Sequence, residues 1–355
     1  MRNNWVAKIL LAPISLLYGI GISVRHFLYQ SGTYKRAEFD VPIISVGNLS
    51  TGGTGKSPHV EYLIMLLRPY LDIATLSRGY GRKTHGFRIV TSADTAESVG
   101  DEPLQFKRKF QDVLVTVGEE RMMAIPQIMG HSPNIQTILL DDAYQHLAVK
   151  PSLNILLTSY KRPYFKDFLL PSGNLREWRS GSQRADIIIV TKCPDDITNQ
   201  HRQKYLKKIQ PLPHQKVFFS KYGYGAPYYL YNGNQRIHLT KDFTVVLISG
   251  IAQPDYLIYH LESLVKETFI AEFADHHPFT VKDMDSIQAL FHKVGGDKKI
   301  YITTEKDAIR LDAHRQYIID HKMPIFILPA GVEFLFGQKE EFDEAIKEFL
   351  MEFKV

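Results

Sequence analysis

The sequence predicts an α/β fold with three parts: a parallel sheet with crossover helices, a second and smaller α/β lobe joined to it by a β-hairpin, and an apolar N-terminal helix. From residue 41 onward, apolar runs alternate with amphipathic stretches, which is typical of parallel sheets. After residue 211 a tyrosine- and glycine-rich segment interrupts this alternation, which then resumes. The first thirty residues are largely apolar.

Composition agrees with a globular protein of two lobes. The chain has 355 residues, of which 44% are hydrophobic and 23% charged, so it can bury a large core. Its net charge of +5 favours an anionic partner such as a nucleotide, a nucleic acid or an acidic membrane surface. Basic residues are spread along the chain without a dense patch, which disfavours nucleic acid. The single cysteine, Cys193, excludes an internal disulfide and any cysteine-based metal cluster.

The N-terminal helix is predicted over residues 1–30. Residues 9–24 lie between Lys8 and Arg25 without a formal charge. A full membrane span needs about 20 apolar residues, so this segment is compatible with a short span or with a helix that lies in the membrane interface. A core helix packed on the larger lobe is the third alternative. A cleaved signal peptide is disfavoured because no small-x-small site follows Val24.

The strand pattern divides the rest of the chain. The larger lobe is predicted over residues 31–215, the β-hairpin linker over 216–240, the smaller lobe over 241–335 and a C-terminal helix, which could pack on either lobe, over 336–355. Strands of the larger lobe are predicted at residues 42–46, 73–76, 113–117, 137–141, 154–158 and 186–190, and those of the smaller lobe at 245–249, 269–273, 300–303 and 325–328. Ligands should bind at the carboxyl ends of the strands and in the cleft between the lobes.

A phosphate-binding loop is predicted between the first strand and the helix that follows it. Residues 45–57 read Ser-Val-Gly-Asn-Leu-Ser-Thr-Gly-Gly-Thr-Gly-Lys-Ser. Glycines let backbone N–H groups converge on phosphate oxygens, the lysine reaches the outer phosphates, and the final serine hydroxyl can hold Mg²⁺. The predicted phosphate-binding residues are Ser50, Thr51, Gly52, Gly53, Thr54, Gly55, Lys56 and Ser57. Ser50 replaces a glycine of the general pattern, but the strand, loop and helix order still favours a nucleoside triphosphate site of the P-loop NTPase type.

Three aspartates are candidates for metal binding or proton transfer. Asp141 and Asp142 end an apolar strand, where a carboxylate can hold the water shell of a metal ion opposite Ser57, although the pair could instead cap a helix. Asp101 follows Gly100 at a turn before a helix. It is a candidate general base or metal ligand, with helix capping as the alternative.

Histidine and arginine side chains complete the candidate site. His276 follows Asp275 on a loop of the smaller lobe, where it could orient a catalytic carboxylate or form a local surface hydrogen bond. Arg78 and Arg176 could bind substrate phosphate or transition-state charge through the two-pronged guanidinium, or could be solvated surface charges.

Seven motifs, in order along the chain, resemble the tetraacyldisaccharide 4′-kinase family, the lipid A kinases of Gram-negative bacteria. They are Gly47-Asn48-Leu49-Ser50-Thr51-Gly52-Gly53-Thr54-Gly55-Lys56-Ser57-Pro58, Ser77-Arg78-Gly79-Tyr80, Gly100-Asp101-Glu102-Pro103, Asp141-Asp142-Ala143-Tyr144-Gln145-His146, Leu175-Arg176-Glu177, Asp275-His276 and Thr304-Glu305-Lys306-Asp307. The resemblance runs from the N-terminal helix to about residue 335. Two departures, Ala143-Tyr144 for the family's usual Gly-Leu and Asn174 for a common proline, bear on loop shape and leave the charged residues intact.

The resemblance implies an ATP-dependent lipid kinase that requires Mg²⁺. Such an enzyme transfers the γ-phosphate of ATP to the 4′-hydroxyl of tetraacyldisaccharide 1-phosphate and forms lipid IVA. It implies a position at the cytoplasmic face of the inner membrane, peripheral or shallowly inserted through the N-terminal helix, and no nucleic-acid partner. By position, Lys56 would hold the outer phosphates, Ser57, Asp141 and Asp142 would serve the metal, and Asp101, supported by His276, would take the hydroxyl proton. Contacts to substrate or phosphate are implied for Arg78, Gln145, Arg176 and Glu177.

Two other function classes are weighed against the kinase. A P-loop GTPase or metallochaperone would need a guanine-reading Asn/Thr-Lys-x-Asp, but residues 191–195 read Thr-Lys-Cys-Pro-Asp, and one extra residue displaces a side chain by about 3.3 Å. A membrane-attached scaffold without activity would have no use for Lys56, Ser57 and the strand-end aspartates together. The sequence leaves open the oligomeric state, the acyl chains accepted, and whether Asp101 or a water molecule accepts the proton.

Overall fold

A large central sheet organises the first half of the chain. The structure, a computed structural model, describes residues 5–252 and 254–353; residues 1–4 and 354–355, which belong to the predicted terminal segments, lie outside the described residues. In chain order the elements are α1 (Trp5–Gln30), β1 (Ile43–Asn48), α2 (Lys56–Leu67), β2 (Ile73–Ser77), β3 (Arg88–Ile89), α3 (Ala96–Val99), α4 (Asp101–Lys109), β4 (Leu114–Val117), α5 (Arg121–His131), β5 (Thr137–Asp141), β6 (Leu153–Ser159), β7 (Ile187–Thr191), α6 (Asn199–Ile209) and β8 (Lys216–Tyr224).

The smaller lobe follows, and the chain then returns to the larger one. Its elements are β9 (Tyr228–Tyr229), β10 (Asn232–Arg236), β11 (Phe243–Ser249), α7 (Asp255–Leu264), β12 (Glu267–Glu272), α8 (Val281–Lys293), β13 (Lys298–Thr304), α9 (Glu305–Leu311), α10 (Arg315–Asp320) and β14 (Ile325–Leu328). Strand β15 (Ala330–Phe334) and helix α11 (Lys339–Glu352) end the described chain.

The two sheets confirm the predicted fold class. The larger sheet has nine strands in the order β15-β8-β7-β6-β1-β5-β2-β4-β3, and the smaller has six in the order β10-β9-β14-β13-β11-β12. Strand β1 lies between the parallel strands β6 and β5 and is buried along its whole length. Every predicted strand is found within two residues of its predicted ends. Most of these strands are buried on both faces and read as continuous apolar runs.

The connection between the lobes differs from the prediction. Residues 217–240 do not form one hairpin: β8 joins the larger sheet parallel to β7, and only β9 and β10 form a short antiparallel pair at the edge of the smaller sheet. Strand β15, predicted within the smaller lobe, pairs antiparallel with β8. The chain therefore crosses between the lobes twice, in two segments that lie side by side in space. A local turn signal predicts a local hairpin, whereas β8 finds its antiparallel partner far later in the chain.

Helix α11 packs on the larger lobe. Its Phe342 and Ile346 belong to the core cluster under the large sheet. The hydroxyl of Tyr62, on α2, donates a 2.6 Å hydrogen bond to Asp343. This helix, which the sequence left free to pack on either lobe, therefore belongs to the larger one.

Helix α1 lies along the surface with most of its apolar side chains exposed. Over Lys8–Gln30 it is long and apolar enough to cross a membrane, and only 11% of its most apolar stretch is buried. A core helix would be mostly buried, so that alternative does not hold. One side of α1 contacts residues 169–178: the Ser15 hydroxyl lies 2.8 Å from that of Ser172, and Trp178 Nε1 donates to the Gly19 carbonyl.

Candidate functional site

The loop between β1 and α2 has the shape of a phosphate cradle. Gly52 and Gly55 have φ angles of 100° and 87°, which other residues rarely adopt. Asn48 Nδ2 donates to the hydroxyl of Thr54 at 2.8 Å, and the Thr191 hydroxyl donates to the Thr54 carbonyl at 2.7 Å. The loop borders a cavity of about 210 Å³ lined by residues 50–54 together with Ser159, Arg162, Asp167, Asn174 and Ala252. The last of these belongs to the smaller lobe, so both lobes contribute to the cavity.

Asp142, directly after β5, forms ion pairs with two basic residues that were predicted for the site. Lys56 Nζ is 3.6 Å and Arg176 Nη2 is 2.9 Å from Asp142 Oδ1. The same Arg176 nitrogen contacts Asn48 Oδ1. Burial alone would raise the pKa of Asp142, but the charges of Lys56 and Arg176 outweigh burial and hold that pKa far below its usual range. Asp142 is therefore ionised and fixes both cations beside the loop.

Asp141 fits a metal ligand. Burial, opposed by Lys56 and reinforced by Asp142, raises the pKa of Asp141 to about 7. Among the described residues its Oδ1 is buried without a hydrogen-bond partner, as expected for an oxygen that receives a cation. Among the described residues, no group of three or more His, Cys, Asp or Glu side chains could hold a metal ion. Ser57, in the first turn of α2, supplies a hydroxyl beside the loop.

Gln145 and Glu177 form a second polar group next to the loop. Gln145 Nε2 donates to the Asn48 carbonyl at 2.8 Å and to Glu177 Oε1 at 2.9 Å. Glu177 is buried and is bound by Arg184 at 2.9 Å. Arg78, in contrast, is exposed at the end of β2, near enough to His146 for its charge to contribute, after burial and Arg121, to lowering the pKa of His146 to about 4.

Asp101 and His276 come from different lobes and contact each other. His276 Nδ1 lies 3.1 Å from Asp101 Oδ2, and Lys306 Nζ lies 3.0 Å from His276 Nε2. An ammonium can only donate, so Nε2 accepts and Nδ1 carries the proton that is donated to Asp101. In this arrangement His276 is neutral.

Asp101 is ionised despite its burial. Burial raises its pKa, but the hydrogen bond from His276 and the charges of Arg310 and Lys306 outweigh burial and hold the pKa below its ordinary value. Arg310 Nε lies 3.1 Å from Asp101 Oδ2. The neighbouring Glu102 pairs with Lys306 at 2.8 Å, so the start of α4 is tied to α9 at two points.

Three residues of this region have a left-handed backbone conformation. Asp142, Lys192 and His276 have φ angles of 49°, 56° and 59°, and each follows the carboxyl end of a strand. Such strain costs free energy and persists where the surroundings enforce it, often at functional sites.

Sequence reasoning missed Arg121, Arg310 and Lys192. Arg121 is fully buried and donates to the backbone carbonyls of Gly118 and Asp141. Arg310 lies one helical turn beyond Asp307, to which it is paired at 3.3 Å, so extending the Thr304-Glu305-Lys306-Asp307 motif by one turn would have found it. Asp195, the late aspartate of the guanine-type motif, is bound by Lys221 at 2.8 Å.

Fold and site together define a phosphotransferase of the P-loop class. The model of a family described as tetraacyldisaccharide-1-P 4′-kinase matches residues 7–351. The chain belongs to this family, as the motifs predict, and the prediction of an ATP-dependent lipid kinase is confirmed.

Individual relatives agree along almost the whole chain. The tetraacyldisaccharide 4′-kinase of Phocaeicola vulgatus is 41% identical over 353 residues, covering 98% of this chain and 95% of the relative. That of Flavobacterium johnsoniae is 41% identical and covers 98% of both chains. A solved structure, described as the "apo" form of LpxK from Aquifex aeolicus in complex with ATP, has a TM-score of 0.73 at 28% identity and covers 97% of this chain and 99% of that one.

Proposed function

We propose that this chain transfers the γ-phosphate of ATP to the 4′-hydroxyl of tetraacyldisaccharide 1-phosphate, with Asp101 as the proton acceptor. The observation that carries the proposal is the contact of Asp101, on the larger lobe, with His276 and Arg310, on the smaller one, in a chain of this family. Phosphoryl transfer asks a protein mainly for alignment and for charge neutralisation. The groups that meet in this cleft suit both tasks.

On the nucleotide side, residues 50–57 would bind the phosphates of ATP and Lys56 would reach the outermost one. Lys56 pairs with Asp142 in the structure, so the phosphate would compete with this carboxylate for the ammonium. Ser57, Asp141 and Asp142 would hold Mg²⁺ and its water shell. When bound, Mg²⁺ neutralises charge on the phosphate oxygens.

On the acceptor side, Asp101 would take the proton of the sugar hydroxyl. Both His276 and Arg310 contact Oδ2 of Asp101, so within the described part of the chain neither of them occupies Oδ1. The neutral His276 would orient the carboxylate rather than relay its proton. Because the partners of Asp101 come from the other lobe, the base would be complete only when the lobes are closed, which limits transfer to water.

The acyl chains and the membrane would lie on the side of α1. Tyr18 of α1 donates to the Arg176 carbonyl at 2.8 Å, and Arg25 donates to that of Gln145 at 3.0 Å. The helix therefore touches the segments that carry Gln145, Arg176 and Glu177, which together with Arg78 are the proposed contacts to substrate or phosphate. A peripheral or shallowly inserted position at the cytoplasmic face of the inner membrane would bring these side chains to an acylated head group.

The test is transfer of ³²P from [γ-³²P]ATP to tetraacyldisaccharide 1-phosphate in detergent micelles. The parent chain should label the lipid, and Lys56→Ala and Asp101→Ala should each lose nearly all labelling. Lys150→Met, at an exposed lysine paired with Glu38, is the matched control and should keep it. A parent chain that hydrolyses ATP but labels no lipid would overturn the proposal.

A further inference from the structure

Lys192 is a buried lysine beside the P-loop that has no role in the mechanism above. It directly follows β7, and 5% of its surface is exposed. Its Nζ lies 3.7 Å from the position that a Cβ would occupy on Gly53. The ammonium therefore lies against the backbone whose N–H groups are suited to bind phosphate.

Lys192 and Asp142 approach the loop from opposite sides. In the large sheet, β7 and β6 lie on one side of β1 and β5 lies on the other. Asp142, with Lys56 and Arg176, is on the β5 side. On the β7 side, the Thr191 hydroxyl donates to the Thr54 carbonyl at 2.7 Å, which fixes the position of Lys192 relative to the loop.

Aromatic rings from both lobes surround the Lys192 ammonium. Its Nζ is 5.5 Å from the ring centre of Tyr222 on β8 and 5.8 Å from that of Tyr256 on α7, distances at which a cation is attracted to a ring face. The backbone at Lys192 is left-handed, with φ of 56°.

Burial and the charges around Lys192 make its ammonium more acidic than that of an ordinary lysine. Burial, followed by the charges of Lys56 on α2 and Arg162 after β6, lowers its pKa to about 8, while Asp255 on α7 and Asp275 after β12 act in the opposite direction. The Tyr222 and Tyr256 side chains also lie beside it, and burial raises the pKa of both hydroxyls. Near neutral pH the lysine is cationic.

We propose that Lys192 is a second phosphate-binding cation of the nucleotide site, and that its ammonium binds the α- and β-phosphates that the reaction leaves on ADP. The proposal rests on the proposed ATP-dependent function and adds to it a residue on the nucleoside side of the loop. Lys56 and the strand-end aspartates are grouped on the β5 side, where the transferred phosphate and its metal would lie. The Lys192 ammonium lies against Gly53 on the β7 side. It would bind the α- and β-phosphates, which stay on ADP.

Calorimetric titration of the full chain with ADP and with ATP, both with Mg²⁺, tests the proposal. Lys192→Met should weaken the binding of ADP and of ATP by a similar factor of about tenfold, as expected for one charge-assisted contact. Lys192→Arg should keep part of the affinity, and Lys150→Met should match the parent. A loss confined to ATP would mean that Lys192 contacts the γ-phosphate and would overturn the proposal. So would unchanged affinity for both nucleotides.

The pH dependence of ADP binding separates a phosphate contact from packing. In the parent, the association constant for ADP should fall as the pH rises from 7 to 9, because Lys192 loses its charge. Lys192→Met should lack this part of the dependence, and Lys192→Arg should lack it too because arginine stays charged. The same dependence in parent and Lys192→Met would overturn the proposal. If the methionine variant does not fold, Lys192→Gln takes its place in both experiments.

These measurements do not require lipid phosphorylation. A parent that binds ADP through Lys192 but labels no lipid would contradict the proposed function alone. A parent that labels lipid, with a Lys192→Met variant of unchanged ADP affinity, would contradict this inference alone.

Discussion

At the scale of single residues, Asp101 illustrates how neighbours decide the state of a buried carboxyl group. Burial alone would keep it protonated, and such a group could not accept a proton at neutral pH. His276, Arg310 and Lys306 reverse that tendency. All three partners come from the smaller lobe, so the basicity of the proposed proton acceptor depends on residues nearly two hundred positions away in the chain.

Arg310→Gln should shift the acid limb of the pH–rate profile. Removing the guanidinium removes one of the charges that lower the pKa of Asp101, so the midpoint of the limb should move to higher pH. The depressed pKa also means that Asp101 contributes stability above its unfolded-state pKa, and that this contribution is lost as the pH falls through the folded-state value. In Arg310→Gln less stability should be lost on acidification. The profile of kcat/KM against pH measures the shift.

Arg310→Lys is the matched control for this experiment. It keeps a positive charge near Asp101, so its acid limb should stay close to that of the parent. A glutamine variant whose activity falls equally at every pH would contradict the electrostatic role and leave Arg310 as a purely structural contact.

At the scale of elements, Lys109 joins three helices by two ion pairs. Its Nζ is 2.6 Å from Glu61 on α2 and 2.8 Å from Glu305 on α9, while Lys109 itself ends α4. Helix α2 begins at Lys56, α4 begins at Asp101, and α9 carries Arg310. The cluster therefore sets the relative positions of the helices that carry the nucleotide site and the proposed base.

Lys109→Met should destabilise the protein in a pH-dependent way. Burial and the charge of Glu305, opposed by Lys109, raise the pKa of Glu61 to about 7. A raised pKa means that the stability from this carboxyl is present at low pH and is lost as the pH rises through 7. Without Lys109 the pKa should rise further. The loss relative to the parent should be small at pH 5 and about 3 kcal/mol at pH 8, as for a broken buried ion pair.

Urea unfolding of the parent and of Lys109→Met at both pH values measures this difference. Adding Glu61→Gln to Lys109→Met should recover part of the stability at pH 8, since the amide removes the buried charge. A difference that is the same at pH 5 and pH 8 would contradict the assignment.

Helix α1 can be tested without removing it. Deleting residues 1–30 would also remove the contacts of α1 with residues 169–178, so point substitutions are the cleaner change. Leu10, Leu17 and Phe27 are exposed by 72%, 70% and 66%. Replacing all three by glutamine should weaken binding to anionic lipid vesicles roughly 100-fold, at about 1 kcal/mol for each side chain, and should leave ADP binding unchanged.

Vesicle co-sedimentation and ADP titration of the same preparations provide the two measurements. Met351→Gln, at an exposed apolar side chain on α11, is the control and should bind vesicles like the parent. Unchanged vesicle binding by the triple variant would contradict the interfacial role of α1.

The strands show which parts of the fold a single sequence can predict. Strands β1, β5, β6 and β7 are buried on both faces, so each is an apolar run that is recognisable without its neighbours. Strand β8 is different, because its tyrosines and glycines resemble a hairpin until its distant partner β15 is known. The site divides in the same way: the P-loop is contiguous, whereas Arg310 and Lys192 acquire their roles only through contacts made by folding.

At the scale of the whole molecule, the two lobes share one cleft, and both chain segments that connect them lie side by side. Strand β15 pairs with the second half of β8. The chain enters the smaller sheet from β8 into β9 and leaves it from β14 into β15. Such a paired connection limits the relative motion of the lobes more than a single linker does. Closure over substrate is then guided toward the contact between α4 and α9, where Asp101 meets Arg310.

A double-mutant cycle across the cleft tests whether the lobes act as one unit. Asp101→Asn should lower kcat by about 1,000-fold, within the range for loss of a general base, and His276→Ala by a smaller factor. Because His276 is proposed to act through Asp101, the double variant should be no slower than Asp101→Asn alone. His277→Ala is the control, since His277 pairs with Asp283 inside the smaller lobe, and its effect should simply multiply with that of Asp101→Asn. Multiplying losses for Asp101 and His276 would mean that the two side chains act independently, and that closure of the lobes does not assemble the base.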